Sequence, residues 1–177
     1  MHPITYDVAV SIDGYISGPE GNISKFAQEG PIVEDYFARL AGYAVAIMGK
    51  ETYEFGYRFG LKPGQNPYQH MRTLVFSQSI KLPDDSDVTV HDTTDVKLLK
   101  ELKTSSNGPI YLCGGGAFAG SLLSMGVIDL VRLKRAPVVL GGGVSLFGDS
   151  ATSPELRHVK TQQYDGGYVF QEFEVAC

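Results

Sequence analysis

The chain contains only two cysteines and no apolar run approaching about 18 residues, the length that a membrane-spanning helix needs. Its first residues show neither the basic nor the apolar segment of a secretory signal. Cys113 and Cys177 lie too far apart in the sequence to suggest a metal site or a disulfide framework. We therefore expect no membrane partner, and we interpret both cysteines as reduced thiols in a cytoplasmic protein.

The sequence also lacks an excess of positive charge, since its net charge is −5 at pH 7 and it has no basic stripe. Nucleic acid is therefore not expected as a partner. The four histidines are scattered, without an H-x-x-x-H spacing or a neighbouring cysteine, so no metal site is predicted. The nucleophile motif G-x-S-x-G is absent as well.

What is present is an ordinary globular composition, 43% hydrophobic and 20% charged, over 177 residues, which predicts one domain at 1–177. Strands are predicted at 4–12, 43–48, 72–76, 88–91, 109–113 and 128–135, with a continuation at 137–140. Helices are predicted at 33–40, 49–55, 94–103 and after the glycines at 114–116, with a loop at 57–70. In the first helix, Val33, Tyr36, Phe37 and Leu40 share one face.

The last third of the chain changes character, because the runs 156–163 and 168–175 alternate with period two around Asp165-Gly166-Gly167. This pattern predicts an antiparallel hairpin. The fold class is therefore α/β, with a central, mostly parallel sheet, antiparallel strands at its C-terminal end and flanking helices.

Two strand-to-helix turns carry glycine where a phosphate would bind. Gly114-Gly115-Gly116 follows a buried strand, and Gly49-Lys50-Glu51-Thr52 follows another. Helix N-termini have unpaired N–H groups and a partial positive charge, and glycine lets a ligand approach the backbone. Two such turns on one sheet edge suit a dinucleotide, although either one also fits an ordinary turn. Neither matches G-x-G-x-x-G followed by an acidic residue, which disfavours a Rossmann domain.

Three further loops contain candidate groups, each of which also fits a plain turn. Ser77-Gln78-Ser79 follows a strand, where hydroxyls would bind a ribose or its 2′-phosphate with charge from Lys50 or Arg72. Asp13-Gly14-Tyr15 follows the first strand, where a carboxylate would orient a substrate. The second glycine triplet, at 141–143, lies between strand-like runs and indicates a bulge or a tight loop.

Five motifs in order resemble the dihydrofolate reductase superfamily, and more closely the stand-alone relatives of the reductase domain in the riboflavin-biosynthesis deaminase-reductase. They lie at 10–16 (Val-Ser-Ile-Asp-Gly-Tyr-Ile), 47–54, 74–77, 110–116 and 136–147, so the resemblance covers almost the whole chain. It implies a three-layer dihydrofolate reductase-like fold with about eight strands. It also implies NADPH at the carboxyl edge of the sheet, and a homodimer.

The resemblance assigns cofactor contacts to three segments. The residues expected to contact NADPH are Gly49, Lys50 and Thr52 at the phosphates and ribose, Ser77 and Gln78 at the adenosine ribose, and Gly114, Gly115, Gly116, Ala117 and Phe118 at the pyrophosphate and nicotinamide. The loop from Asp13 to Ser17 would cover the nicotinamide and the substrate. Lys50 stands where the family usually has arginine, and its point charge would weaken the preference for a 2′-phosphate.

The hypothesis is therefore an NADPH-dependent reductase that transfers hydride to a small pterin-, folate- or pyrimidine-like heterocycle or a carbonyl compound. Asp13 and Tyr15 are the candidate catalytic residues, as proton donors. One alternative is a catalytically silent nucleotide-binding protein of the same fold. Another is a 5-amino-6-(ribosylamino)uracil-type reductase of riboflavin synthesis. The helix before Met48 lacks the His-x-Leu-Arg-like pattern of the riboflavin enzymes, which counts against that last reading.

Overall fold

The computed structural model describes residues 1–176, so the cysteine at position 177 lies outside the described residues. The strands are β1 (Ile4–Val10), β2 (Tyr15–Ser17), β3 (Val45–Gly49), β4 (Arg72–Phe76), β5 (Thr89–His91), β6 (Ile110–Leu112), β7 (Leu130–Arg135), β8 (Val144–Ser145), β9 (Leu156–Gln163) and β10 (Val169–Val175). The α-helices are α1 (Pro31–Leu40), α2 (Lys50–Phe55), α3 (Val96–Ser105) and α4 (Gly116–Ser124).

Eight of these strands form one sheet in the order β5-β4-β3-β6-β1-β7-β10-β9. The strands from β5 to β7 run parallel, while β10 pairs antiparallel with β7 and with β9. The first strand lies at the centre, because β1 pairs Ile4 with Ile110 on one side and Thr5 with Leu130 on the other. The predicted fold class, a mostly parallel sheet with antiparallel C-terminal strands, is confirmed.

Each sheet face carries its own apolar core, because successive residues of a strand point to opposite faces. On one face, Tyr6 and Leu112 pack with Leu99 of α3 and Leu122 of α4. On the other, which we call the α1 face, Met48, Val75 and Tyr111 pack with Leu40 of α1 and Tyr53 of α2. Helices on both faces make the third layer that was expected.

Several predicted boundaries are corrected by hydrogen bonds that the strand pattern does not reveal. β1 ends at Val10 because Ser11 N–H donates to the Tyr15 carbonyl and closes a turn. Residues 137–140 are not a strand, since the Leu140 N–H donates to the Asp13 carboxylate instead of to a neighbouring strand. The loop at 57–70 begins with a helical turn at Gly56–Phe59.

The first helix also buries a different face from the one predicted. Phe37 is 59% exposed, whereas Ile32, outside the predicted helix, is buried. The helix begins at Pro31, whose fixed φ suits the first helical position. The residues 32, 36 and 40 therefore form the inward stripe.

The sequence reading also missed a small second sheet in which β2 pairs with β8. The glycine triplet at 141–143 leads into β8 as a tight loop, and a Cβ on Gly143 would overlap the Ser17 carbonyl oxygen. This pairing joins the loop after β1 to the loop after β7. No helix among residues 1–176 is long and apolar enough to cross a membrane.

Candidate functional site

Two helix N-termini meet at the carboxyl edge of the sheet, because β3 and β6 are neighbours and each leads directly into a helix. The N-cap residues are Gly49 for α2 and Gly115 for α4, and neither helix has a side-chain cap. The first N–H groups of both helices are therefore not engaged by a capping side chain. Uncapped N-termini at the carboxyl ends of parallel strands bind anions well.

The two helix starts are joined by Thr52 of α2, which packs on the turn after β6. Gly114 and Gly115 have φ of +49° and +76°, and a Cβ on Gly115 would lie 2.7 Å from Thr52 Oγ1. Only glycine combines this backbone conformation with so close a neighbour. Thr52 and the two glycines thus form one wall of a backbone-lined cradle between the two helix starts.

Gly116 serves a different purpose from its two predecessors. A Cβ at Gly116 would overlap the Ser145 carbonyl oxygen, and one at Gly120 would overlap that of Phe147. These two residues are one helical turn apart, so the segment around β8 lies directly on α4. The small size of Gly116 is required by packing within the protein, while its backbone still belongs to the first turn of α4.

Phe118 fills the space between the two helix starts. Its ring stacks on Phe76 with centroids 5.3 Å apart, and its Cβ lies 3.5 Å from the position of a Cβ on Gly49. Phe76 in turn stacks on His91, and the His91 Nε2 atom is buried without a hydrogen-bond partner in the described residues. This row of rings forms an apolar floor beneath the carboxyl edge.

The predicted ribose segment lies beside Lys50. Lys50 Nζ donates to Ser79 Oγ at 3.2 Å, and the Ser77 hydroxyl accepts the N–H groups of Ser79 and Ile80. Gln78 is exposed. Arg72 is not near this segment, because it begins β4 at the opposite, amino edge of the sheet. Of the two predicted charges, the structure brings only Lys50 to the serines.

Asp13 holds two loops together. Its carboxylate accepts hydrogen bonds from the Ser11 hydroxyl at 2.6 Å and from the N–H groups of Leu140 and Gly141 at 3.0 and 2.7 Å. These bonds, chiefly that of Ser11, lower the pKa of Asp13 to about 2. The carboxylate is therefore ionised near neutral pH and has no proton to donate. Its geometry is that of a positioning residue.

Tyr15 lies on β2, next to that junction. Its N–H donates to Ser11 Oγ, and its carbonyl accepts the Ser11 N–H, both at 2.9 Å. Its backbone also pairs with Ser145 of β8. Asp13 and Tyr15 are thus brought together through Ser11, which sequence reasoning did not single out.

A buried ionic cluster lies below this edge on the α1 face. Asp7 of β1 has a fully buried side chain that accepts two hydrogen bonds from Arg39 of α1, at 2.9 and 3.3 Å. Lys134 of β7 reaches the same carboxylate, with Nζ 3.7 Å from Asp7 Oδ1. Two residues before Lys134 on β7, Arg132 pairs with Glu172 and donates to the Tyr43 hydroxyl at 3.0 Å.

Polar groups extend this cluster toward the glycine turn. The Tyr36 and Tyr111 hydroxyls are 2.7 Å apart, and the Tyr68 hydroxyl lies 3.1 Å from Cys113 Sγ. Burial raises the pKa of the Cys113 thiol and of all three phenols, which keeps them protonated. The sequence did contain a signal for the cluster, because Arg132 and Lys134 alternate with apolar residues in β7, and Asp7 interrupts an apolar strand.

The described residues contain no group of three or more His, Cys, Asp or Glu side chains that could hold a metal ion. Two surface concavities, of about 830 and 360 Å³, lie along α3 and at the amino ends of β1 and β7. Neither is lined by a residue of the uncapped helices α2 and α4 or of the polar cluster, which converge at the carboxyl edge. The carboxyl edge is therefore the candidate site.

Comparison with known proteins finds relatives in sequence and in fold. The chain is similar to the uncharacterized protein YwjB of Bacillus subtilis (strain 168), with 28% identity over 158 residues that cover 89% of each chain. A pyrimidine reductase-like protein from Corynebacterium diphtheriae has a TM-score of 0.74 at 16% identity, over 99% of this chain and 92% of its own. Dihydrofolate reductase from Enterococcus faecalis, complexed with NADP(H), has a TM-score of 0.68 at 13% identity, over 99% and 97%.

At these identities the structural relatives show the fold, which is that of the dihydrofolate reductase-like α/β proteins. Residues 3–170 match the RibD C-terminal domain family, and the chain belongs to that family. The resemblance read from the five motifs is confirmed. Membership supports a reductase of this family.

Proposed function

We propose that the protein is an NADPH-dependent reductase of a small pterin-, folate- or pyrimidine-like heterocycle or a carbonyl compound, acting as a single domain. The observation that carries the proposal is the pair of uncapped helix N-termini at neighbouring strands, joined by Thr52 and Gly115. Two anion-binding turns at this spacing suit the two phosphate-bearing halves of a dinucleotide.

Each segment of the site has a part in this proposal. The first turns of α2 and α4, with Gly49, Thr52 and Gly114–Phe118, bind the pyrophosphate and the adjoining riboses. Lys50, Ser77 and Gln78 hold the adenosine ribose and its 2′-phosphate. The bound nicotinamide would supply the hydride. Asp13 fixes the loop that carries Tyr15 over the substrate and keeps water from the reacting atoms.

The test is a titration of the purified protein with NADPH and, separately, with NADH, followed by nicotinamide fluorescence and by melting temperature. Ligand at about 100 times its Kd should stabilise the fold by about 2.7 kcal/mol, which is readily measured. Stabilisation by NADPH would support the proposal and justify a screen of acceptors. No response to either cofactor would contradict the proposed binding of a dinucleotide at the two helix starts.

A substitution of Lys50 tests the proposed contact with the 2′-phosphate of NADPH. Replacing Lys50 with alanine removes the ammonium group that donates to Ser79 Oγ at 3.2 Å. Because a hydrogen bond to a charged group contributes about 1.5–3 kcal/mol, we expect the Kd for NADPH to rise by about tenfold to a hundredfold. The Kd for NADH should change less than threefold. Lys97→Ala, on the exposed surface of α3, is the matched control and should alter neither value.

Family membership favours one second candidate, a 5-amino-6-(ribosylamino)uracil-type reductase of riboflavin synthesis. Expression of the chain in a bacterial strain that lacks the pyrimidine reductase would test it. Growth without added riboflavin would support this candidate. Absence of growth, together with clear NADPH binding, would leave the broader reductase proposal standing.

We further propose a homodimer built on β9. This strand is the edge of the eight-stranded sheet, and it exposes Leu156 and Val159, which are 45% and 43% accessible. An eight-residue edge strand has one row of unpaired backbone groups that a second copy of the chain can pair.

A further inference from the structure

Lys134 is a mostly buried cation whose charge is only partly compensated. Its side chain is 14% exposed. The nearest carboxylate oxygen, on Asp7, is 3.7 Å away, and that carboxylate already accepts two hydrogen bonds from Arg39. A buried ammonium group with unused donors is costly unless an acceptor arrives to use them.

The position of Lys134 connects this cation to the candidate site. It is the penultimate residue of β7 and lies opposite Ala9 of β1, near the carboxyl ends of both strands. Nζ lies 3.2 Å from the centroid of the Tyr36 ring, so the phenol borders the cation. A flat acceptor entering at the carboxyl edge would meet this ring and this ammonium together.

The groups that face Lys134 come from four elements. They are Asp7 from β1, Tyr36 and Arg39 from α1, Cys113 from the turn after β6, and Phe170, its register partner on β10. Asp7 is the one carboxylate of this set, and two cations share it. Burial is the main cause that lowers the pKa of Lys134 to about 8, with Arg39 adding to the effect and Asp7 opposing it. The ammonium therefore exchanges its proton close to neutral pH.

We propose that the Lys134 ammonium donates the proton to the hydride acceptor, and this inference rests on the reductase function proposed above. The acceptor would be a compound with a polarised C=N or C=O bond. With a bound nicotinamide cofactor supplying hydride to the carbon, the heteroatom would gain the π electrons, and Lys134 Nζ would give that atom its proton. The neutral amine then recovers a proton from solvent. The cofactor would supply the two electrons that reduce the acceptor, and its own oxidation would balance the step.

The first test needs no acceptor. Wild-type protein is acetylated with trace acetic anhydride across pH 6–11, and the labelling of each lysine is measured by mass spectrometry. We expect the Lys134 midpoint at least one pH unit below that of Lys97, whose side chain is 87% exposed. A Lys134 that labels in step with Lys97, or that never labels, would overturn the proposal, because such an amine is not an accessible acid of suitable strength.

The second test uses 7,8-dihydrofolate and NADPH with the variants Lys134→Met and Lys134→Arg. General acids contribute about 10²–10⁴-fold, so the methionine variant should lose at least a hundredfold in kcat. Its Kd for NADPH should stay within twofold of the wild type. Arginine keeps the charge but does not release its proton, so the fall in wild-type kcat above about pH 8 should be absent from the slow arginine variant.

Chemical rescue separates proton donation from a structural role. Lys134→Ala should regain turnover when ethylamine is added, in proportion to its ammonium form, while Lys97→Met needs no rescue. An arginine variant with wild-type rate and pH profile would contradict the proposal. If the wild-type protein binds no NADPH but still shows the lowered acetylation midpoint of Lys134, the proposed reductase function is wrong. The conclusion that Lys134 is an accessible amine of low pKa would still hold.

Discussion

At the scale of single residues, the carboxylates of two aspartates near the first strand are stabilised in different ways. Asp7 is buried and neutralised by cations, whereas Asp13 is exposed and held by backbone N–H groups and the Ser11 hydroxyl. The sequence pattern picked out Asp13 as a candidate proton donor. Its role follows from contacts with Leu140 and Gly141, which lie far away in sequence and are brought close only by the fold.

Asp13→Asn should therefore show a stability defect that depends on pH. The pKa of Asp13 is lowered from 3.8 to about 2, so its ionised form stabilises the folded state fully above pH 3.8. That contribution is lost as the pH falls toward 2. We expect the variant to melt below the wild type at pH 7, with the gap closing between pH 4 and pH 2. Asp92→Asn, at another exposed aspartate, is the control and should show no gap.

Gly115 and Gly141 provide a matched pair for measuring the cradle wall. Both have φ of +76°, but a Cβ on Gly141 meets nothing within 4 Å, while one on Gly115 meets Thr52 Oγ1. Gly141→Ala should lower the free energy of unfolding by about 1–2 kcal/mol, the cost of a left-handed alanine. Gly115→Ala should cost more. Adding Thr52→Ala should recover the difference, and equal costs for the two alanines would contradict the contact.

At the scale of elements, helix α4 is held against the segment around β8 by two glycines one turn apart, Gly116 and Gly120. Alanine normally favours a helix over glycine by about 1 kcal/mol. Here Gly120→Ala should destabilise the protein, by about 1–3 kcal/mol, because its Cβ would overlap the Phe147 carbonyl. Chemical denaturation measures the change. Ser121→Ala, on the exposed side of α4, should be neutral or slightly stabilising.

The elements themselves were largely predictable, because strands such as β3 and β6 are short apolar runs and α3 has a clear helical period. The predictions that were wrong concern segments whose structure depends on long-range contacts. The segment at 137–140 looks like a strand by composition, yet Asp13 takes its N–H groups. β2 and β8 are too short to show a pattern, and each exists only because the other is there. Phe37 fits the helical stripe in sequence and nevertheless lies on the exposed face.

At the scale of the whole molecule, the proposed homodimer can be tested at the two edges of the sheet. Light scattering after size-exclusion chromatography should give twice the 19.2 kDa mass of one chain. Val159→Lys on β9 should shift the protein toward the monomer, since it places charge on the proposed contact. Val90→Lys on β5, the opposite edge, should not. A wild-type monomer at micromolar concentration would contradict the proposal.

The candidate site was partly predictable at this scale as well. Both glycine turns predicted as phosphate sites follow strands of a parallel sheet, and such turns meet at the carboxyl edge by topology alone. The sequence did not predict the cluster around Lys134, because a lysine in a strand near the C-terminal hairpin is normally expected to be exposed to solvent. Its burial comes from α1, which the chain places over that strand from a hundred residues earlier.

The central place of β1 has a consequence for how the protein is made. Ribosomal synthesis proceeds from the N-terminus, so β1 emerges well before both of its neighbours in the sheet, β6 and β7. Until Leu130 has left the ribosome, the nascent β1 keeps at least one open edge and an unmatched apolar surface. Such a chain gains its contacts late and at long separation, which slows folding. A chain released before β7 is made would therefore expose this apolar strand to chaperones and proteases.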